Sequence, residues 1–408
     1  MNRALGIELR RGVGVWATVP LIAAGIAIAL AHPRDWAGDW LGWGYHLRIM
    51  LIVVGPLVVA VAAWQGGRER RRGLVELLDS TSLSPLRRSL AAYASPAVWT
   101  TVAFVAIAAA MGAVTATHAT YGRPPVLLAL SAVAAIVMFA ALGFVAGRLL
   151  PWRGTAPLLA IATYVAVAAT AYSNAPSAYL SPGVQLFDSP AGWWAPTTAA
   201  VYLSVAAAAL LLLGPRSRWL SPAALVLAVL VAQPVIRTGQ DAFTVDTAAE
   251  ALVCADGSPK VCLTQRHAGQ LPQVAATVQQ VLAGLEVAGP INEQRFGEEY
   301  LQEQGTLNTL YLGADLNGQA DLEVVRGDAA NLAVQLLRCG DGEISPPDSD
   351  AYSATFDLAA WVRDRPDPPY SGVLQGRSEQ EVLTLIKAVA PAAARCDLKA
   401  IQGLLDAP

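Results

Sequence analysis

Long apolar segments separated by short polar stretches fill the first 240 residues and predict a helical membrane protein. A helix that crosses a bilayer needs about 20 predominantly apolar residues. Seven segments of this kind occur, at residues 13–31, 49–65, 94–116, 126–146, 156–172, 196–213 and 219–236. We expect seven spanning helices, or six if one segment only dips into the membrane. The Pro- and Gly-containing loop 173–195 is the favoured place for such a dip.

Basic residues collect in every second loop and predict the orientation of these helices. Short loops rich in Lys and Arg stay in the cytoplasm. The basic residues in question are Arg3, Arg10 and Arg11, then Arg68, Arg70, Arg71, Arg72, Arg87 and Arg88, then Arg148 and Arg153, then Arg216 and Arg218. We therefore expect a cytoplasmic N-terminus, and an odd number of spans then places residues 240–408 outside the cytoplasm.

The opposite loops are poor in basic residues and rich in aromatic ones. They hold only Arg34, Arg48 and Arg123, and the aromatic residues Trp36, Trp40, Trp43, Tyr45, Tyr179, Trp193 and Trp194. Trp and Tyr are enriched where a membrane meets water, so we expect an outer aromatic belt that anchors the protein. The seven segments, bounded as above, contain no Asp, Glu, Lys or Arg. Charged groups inside a membrane mark proton and ion pathways, so proton-coupled transport is not expected.

The charge of the chain changes sign near residue 240. Residues 1–239 hold 17 basic and 7 acidic residues, a net charge of +10, whereas residues 240–408 hold 11 basic and 24 acidic residues, a net charge of −13. Such an asymmetry marks a domain boundary. The basic residues of the first half stand at the ends of apolar segments, which does not predict nucleic-acid binding. We expect a membrane domain over 1–239 and a soluble, acidic domain over 240–408.

The soluble domain is expected to be mixed α/β and mainly helical. Apolar residues at helical spacing predict helices at 270–285, 329–338, 354–363 and 378–394, and short strands are predicted at 311–316 and 322–325. Ser378 and Glu381 stand where a capping box places an N-cap residue and its partner three positions later. The overall fold class is therefore an α-helical polytopic membrane protein of six to seven transmembrane helices with a C-terminal soluble domain.

All four cysteines lie in the C-terminal domain, and an even number on the outer side of a membrane favours disulfides. They are Cys254, Cys262, Cys339 and Cys396, which allow three pairings. Cys254 with Cys262 is the easiest pair to accept, because residues 256–259 between them form a turn sequence. Four free thiols are the alternative. A zinc site is not expected, because the spacing with one nearby histidine fits no usual zinc pattern.

The chain lacks the motifs of the common hydrolases. It has no G-x-x-x-x-G-K-[ST], no H-E-x-x-H and no G-x-S-x-G sequence. We therefore predict a protein that is not an enzyme and has no metal or cofactor of its own. Any ATP and Mg would be bound by a partner chain.

Residues 68–95, RERRRGLVELLDSTSLSPLRRSLAAYAS, carry a resemblance to a known family. This stretch resembles the cytoplasmic loop of ABC-2 type permeases, the membrane subunits of one class of ABC transporters. In that family a charged patch is followed by G-[TL]-x-E-x-L-L-x-[ST]-x-x-x-[ST]. The charged patch ends here at Arg72, and the residues at the motif positions are Gly73, Glu76, Leu77, Leu78, Ser80, Thr81 and Ser84.

The resemblance implies a partner and a mode of action. It implies that residues 68–88 form a coupling helix seated in a groove of a cytosolic ATPase, and that residues 1–12 form an elbow helix on the inner leaflet. Loop 173–195 would match the external re-entrant helices of the family. Two permease subunits, identical or paired with a sister chain, would form the pathway. A seventh span and a cysteine-bearing outer domain depart from the six-span pattern of the family.

The sequence is therefore interpreted as a permease subunit of an ABC-type exporter in the cell membrane. Peptide, lipid-linked or antibiotic-like cargo fits equally. The preference for Arg over Lys and the high Ala content suggest a bacterial source with a GC-rich genome. The alternative is a membrane-anchored extracytoplasmic binding or sensor protein without transport activity, whose spans only hold the outer domain.

Overall fold

The computed structural model divides the chain into two compact units. The first comprises residues 1–117 and 122–246, and the second comprises residues 118–121 and 247–408. The structure describes residues 2–73, 84–173, 175–184, 189–283, 285, 295–298, 307–310, 315–335, 357–358, 360–364, 374–394 and 397–405. Each unit is described below by itself.

The first unit is a bundle of long apolar helices. Its described helices are α1 (Asn2–Arg11), α2 (Val13–Ala31), α3 (Trp40–Gly66), α4 (Arg68–Arg71), α5 (Pro85–His118), α6 (Val126–Leu149), α7 (Thr155–Ala171), α8 (Trp194–Leu211) and α9 (Ser221–Thr238). Six helices among the described residues are long and apolar enough to cross a membrane, namely α2, α3, α5, α6, α8 and the helical stretch that contains α9. Helix α7 is apolar and shorter, at 17 residues.

The long helices run alternately between two ends of the bundle. At one end, here called the arginine end, the C-terminus of α3 meets the start of α5 and the end of α6 through Glu69, Arg88 and Arg148. At the other, here called the aromatic end, buried Tyr45 of α3 and Trp194 of α8 form one apolar cluster with Leu128 of α6 and Val235 of α9. A two-residue strand β1 (Ser189–Pro190) pairs with β2 (Phe243–Thr244) at this end.

Helix α7 also reaches from one end to the other, although it is short. Five residues separate its start from the end of α6. Near its C-terminus, the Thr170 hydroxyl donates to the hydroxyl of Ser181, a residue whose carbonyl oxygen accepts from Arg48 of α3. Within the described residues, α7 therefore runs between the two ends of the bundle, and the end of α9 lies at the aromatic end, opposite Arg68–Arg71.

Helices α3 and α6 cross at glycines. A Cβ atom placed on Gly147 would clash with the backbone carbonyl of Ala63, and one placed on Gly143 would clash with that of Val59. On the other helix, a Cβ on Gly66 would clash with the carbonyl of Phe144. Gly143 and Gly147 are separated by four positions, the small-residue spacing that lets two membrane helices approach closely.

The second segment begins nine residues earlier than expected, and this corrects two predictions. Asp39 caps α3 because its carboxylate accepts from the backbone N–H groups of Leu41 and Gly42, at 3.1 and 2.8 Å. Arg48 therefore lies inside the helix and not in a loop, and it is fully buried. The prediction that the spanning segments carry no charge is wrong at this residue.

The expected outer aromatic belt is also only partly present. The side chains of Trp36, Trp43, Tyr45 and Trp194 are buried inside the first unit, while Trp193 is exposed. The indole N–H of Trp36 donates to the carbonyl of Ala29 at 3.0 Å. These aromatic residues therefore pack the interior of the bundle.

The second unit contains a four-stranded sheet and several helices. Strands β3 (Leu252–Cys254), β4 (Lys260–Thr264), β5 (Arg295–Glu298) and β6 (Leu307–Leu310) lie in that order. β3 and β4 are antiparallel, whereas β4, β5 and β6 are parallel. The described helices are α10 (Leu271–Leu282), α11 (Leu322–Gln335), α12 (Glu379–Ala394) and α13 (Leu398–Leu405). Their apolar faces bury a core that includes Leu263, Val278, Trp361, Val382 and Ile386.

Two local predictions for this unit have clear outcomes. The capping box is confirmed: the backbone N–H of Ser378 donates to Glu381 at 2.5 Å, and the N–H of Glu381 donates back to the Ser378 hydroxyl at 3.4 Å. The strand predicted at 322–325 is wrong. Asp321 accepts from the N–H groups of Glu323 and Val324, and this cap starts a helix there.

The cysteines are described only in part. Cys254 and Cys262 lie opposite each other in the β3–β4 pair, and their sulfur atoms are bonded as a disulfide. Cys339 and Cys396 lie outside the described residues. Their state stays a prediction.

Candidate functional site

The candidate site is the loop between α4 and α5, at the arginine end of the bundle. Its first and last described residues are Arg72, Gly73 and Ser84, all exposed. Gly73 has φ +66°, a left-handed conformation that glycine adopts freely, and its N–H donates to the carbonyl of Arg70 at 3.1 Å. This turn ends α4. The remaining predicted coupling residues, Glu76, Leu77, Leu78, Ser80 and Thr81, lie outside the described residues.

An ion cluster joins the helices on both sides of this loop. The carboxylate of Glu69, in α4 before the loop, accepts from Arg148 at the end of α6 at 2.8 Å. Arg88, in the first turn of α5 after the loop, lies 4.0 Å from the same carboxylate oxygen. The Glu69 side chain is only 12% exposed. One carboxylate therefore ties together three helices, including both that bound the loop.

The N-terminal helix is attached to the same region. The Glu8 carboxylate of α1 accepts from Arg68 at 2.6 Å and from Gln65 at 3.2 Å. The indole N–H of Trp99, in α5, donates to the carbonyl of Leu9 at 2.7 Å. Helix α1 thus contacts the end of α3 and the first half of α5. It lies beside the loop and before the first apolar helix.

The surface around the loop is positively charged. Arg70, Arg72 and Arg87 are exposed, and Arg71 packs over the ring of Trp64 at 4.6 Å. Burial and the neighbouring charge of Arg153 lower the pKa of the Arg71 guanidinium. Basic residues of two loops therefore lie close together, which gives this end a positive field suited to anionic headgroups or an acidic partner surface.

The geometry defines a class of protein and no particular member of it. The described residues form an α-helical bundle with six helices able to span a membrane, which is the architecture of a polytopic membrane protein. Comparisons with protein-family models, with curated proteins and with solved structures found no match. Among the described residues, no group of three or more His, Cys, Asp or Glu side chains is placed to hold a metal ion.

The sequence-based prediction for one ionisable residue, Arg48, is wrong. Arg48 was assigned to an outer loop, whereas its guanidinium lies inside the bundle at the aromatic end. The signal was present, because Arg48 stands between Leu47 and Ile49 in a stretch that is otherwise apolar or aromatic. An ionisable residue within a membrane helix is a candidate for function.

Proposed function

We propose that the protein is the permease subunit of an ABC-type exporter that works with a separate cytosolic ATPase. In this proposal the ATPase contacts the loop between α4 and α5, binds ATP and Mg, and moves the bundle when it closes. Two permease subunits, identical or sister chains, form the pathway. The chain itself hydrolyses nothing.

The observation that carries the proposal is the attachment of the loop to the bundle. A push on a loop moves a membrane domain only if the ends of the loop are fixed to the helices. Glu69 links α4 to α5 and α6 through Arg88 and Arg148, and Glu8 links α1 to Arg68. Charge-assisted pairs that are partly buried hold their geometry better than exposed pairs. The border before the loop is therefore held by short hydrogen-bonded ion pairs, and the border after it by the longer 4.0 Å approach of Arg88 to Glu69, so that force on the loop can reach four helices.

The orientation is part of the proposal. The concentration of arginines favours a cytoplasmic location for the arginine end. Seven traverses then bring the end of α9, and the start of the acidic second unit, to the opposite side of the cell membrane. The disulfide between Cys254 and Cys262 fits an oxidising compartment.

The test is co-purification from the native cells. The tagged full-length protein should bring down a chain that contains G-x-x-x-x-G-K-[ST], together with ATP hydrolysis. Leu77→Asp and Glu76→Arg should abolish both, because they place a charge and reverse a charge on the proposed contact. Arg216→Glu is the matched control, since Arg216 is exposed in the loop between α8 and α9 and its substitution also reverses a charge.

Two results would contradict the proposal. One is an ATPase that stays bound and active with both loop variants. The other is the absence of any such ATPase while all other partners are retained, which would favour the membrane-anchored sensor instead. Loss of the ATPase with Arg216→Glu as well would mean that the loop is not the specific contact.

A further inference from the structure

The guanidinium of Arg48 is enclosed by four neighbours at the aromatic end of the bundle. Nη1 donates to the Ser131 hydroxyl at 3.0 Å, and Nη2 donates to the Ser181 carbonyl at 2.8 Å and the Tyr202 hydroxyl at 3.3 Å. The ring of Trp194 lies 4.7 Å from the guanidinium carbon. The Arg48 side chain has no exposed surface. Three helices and one loop therefore meet on a single cation.

All of these neighbours are neutral. Two hydroxyls, one backbone carbonyl and an indole ring surround the charge, and no ion pair of the described residues includes Arg48. A buried cation without an anion loses its hydration and gains no matching charge. Among these contacts only the one with the Trp194 ring depends on the positive charge. A single cation–π contact is weaker than the hydration that a buried cation loses, so the described contacts do not balance the charge.

Two buried donors at this place have no acceptor. They are Nε of Arg48 and Nε1 of Trp194. The N–H groups of Nε and Nη2 form one edge of a guanidinium, the edge that holds both oxygens of a carboxylate or phosphate side by side. Here Nε is free and Nη2 is occupied by the Ser181 carbonyl and the Tyr202 hydroxyl. An oxyanion that displaced the Ser181 carbonyl would fill both positions of this edge.

The element that covers this edge is a short irregular segment. A 3-10 helix, Pro176–Leu180, leads to Ser181, and Gly183 lies so close to Ile52 of α3 and Val167 of α7 that no Cβ atom would fit without movement. The segment is fastened by Tyr202, which donates to the Leu180 carbonyl at 2.9 Å, and by Thr170, which donates to the Ser181 hydroxyl at 2.9 Å. It is not part of a long helix, so it is the element that an incoming anion would have to displace from Arg48.

We propose that Arg48 and Trp194 form a binding site for an oxyanion, the carboxylate or phosphate group of a small molecule or an amphiphile that enters from the aromatic end. The Arg48 edge binds the two oxygens, and the indole N–H of Trp194 supplies a further donor. The anion would take the position that the Ser181 carbonyl holds at Nη2. This inference does not depend on the ATPase or on transport.

The test uses the purified full-length protein in nanodiscs of neutral phosphatidylcholine. Thermal unfolding is followed while octyl phosphate, octyl glucoside or inorganic phosphate is added at constant ionic strength. A ligand that binds only the folded state raises the unfolding temperature as its concentration rises. We expect octyl phosphate to stabilise the protein and octyl glucoside not to. Equal stabilisation by inorganic phosphate would support the site and identify a free small anion as the ligand.

The variants separate this site from general attraction of anions. Arg48→Gln should abolish the stabilisation, and Arg123→Gln, which removes an exposed arginine of a neighbouring loop, should leave it unchanged. Trp194→Phe keeps a ring and removes the N–H. We expect it to weaken binding about tenfold, the order expected for one hydrogen bond to a charged group. If Arg48→Gln does not fold, Arg48→Lys replaces it, since that variant keeps the charge, loses the edge and should weaken binding.

Three outcomes would overturn the proposal. They are no effect of any phosphate on the wild-type protein, the same effect in Arg48→Gln, and unchanged affinity in Arg48→Lys. Asp188, the acidic residue of the loop that precedes α8, supplies one more check. If anions bind only after Asp188→Asn, then Arg48 is the partner of that carboxylate, and the proposal is wrong.

Discussion

The ion cluster around Glu69 makes a quantitative prediction about coupling between helices. Glu69→Gln and Arg148→Gln should each destabilise the protein, and the double variant should cost less than the sum of the two. The difference is the interaction energy of the pair. It measures how firmly α4, which precedes the loop, is held to α6.

The magnitude follows from the distance and the burial of the two side chains. The oxygen and nitrogen atoms lie 2.8 Å apart, and the side chains of Arg148 and Glu69 are 18% and 12% exposed. Two unit charges at about 4 Å attract by about 4 kcal/mol at an effective dielectric constant of about 20. Desolvation removes a large part of this attraction. We expect an interaction energy of about 1–3 kcal/mol.

The assay is a double-variant cycle on the free energy of unfolding in mixed micelles. Arg363 and Asp364 provide the comparison, since their side chains form an ion pair at 2.6 Å and are 47% and 28% exposed. An exposed pair contributes about 0.2–1 kcal/mol. The reasoning is refuted if the Glu69–Arg148 cycle gives no more than the Arg363–Asp364 cycle. Arg88 stays in place in all variants, so its repulsion of Arg148 is the same in the wild-type protein and in Glu69→Gln and cancels in the cycle.

Two further predictions concern packing and pH. Gly147→Ala should lower the unfolding free energy by about 1–3 kcal/mol in the same assay, because the added methyl group clashes with the Ala63 carbonyl, whereas Gly192→Ala has open space and should change little. Hydrogen bonds from the Ser378 backbone and hydroxyl lower the Glu381 pKa from its ordinary 4.5. The stabilisation that these hydrogen bonds give is therefore complete above pH 4.5. It is lost as the pH falls through the pKa of Glu381 in the folded protein, which is lower than 4.5. Glu381→Gln should flatten this dependence in unfolding curves at pH 6 to 3; an unchanged slope would contradict it.

Sequence periodicity found the apolar helices because burial in a membrane depends mainly on composition over about 20 residues. It misplaced helix ends, because a cap is a local hydrogen bond and not a matter of hydropathy. Asp39 starts α3 nine residues before the apolar run begins. Asp321 starts a helix in a stretch, Leu322–Val325, whose β-branched pair suggested a strand. Both carboxylates could have been recognised as N-caps from the sequence.

The environment of Arg48 lay beyond any local pattern. Its hydrogen-bond partners are 83, 133 and 154 positions away along the chain. The local sequence shows only that Arg48 stands beside an apolar run. The usual interpretation of such a charge is that it lies outside the membrane helix. The four-residue spacing of Gly143 and Gly147, in contrast, can be recognised in the sequence. It identifies the face of α6 that approaches α3.

The number of traverses decides where the acidic domain begins, and length alone is a poor guide to that number. Helix α7 has 17 residues and is therefore about 25 Å long, against a hydrocarbon core of about 30 Å. Its position gives the stronger argument. α6 begins at the aromatic end with Leu128 and ends at the arginine end with Arg148, so the chain must return before α8 starts with Trp194 at the aromatic end. Helix α7 makes that return within the bundle, and a bilayer can thin locally around a short helix. The proposed orientation, with the end of α9 on the side opposite the Glu69 cluster, depends on this return.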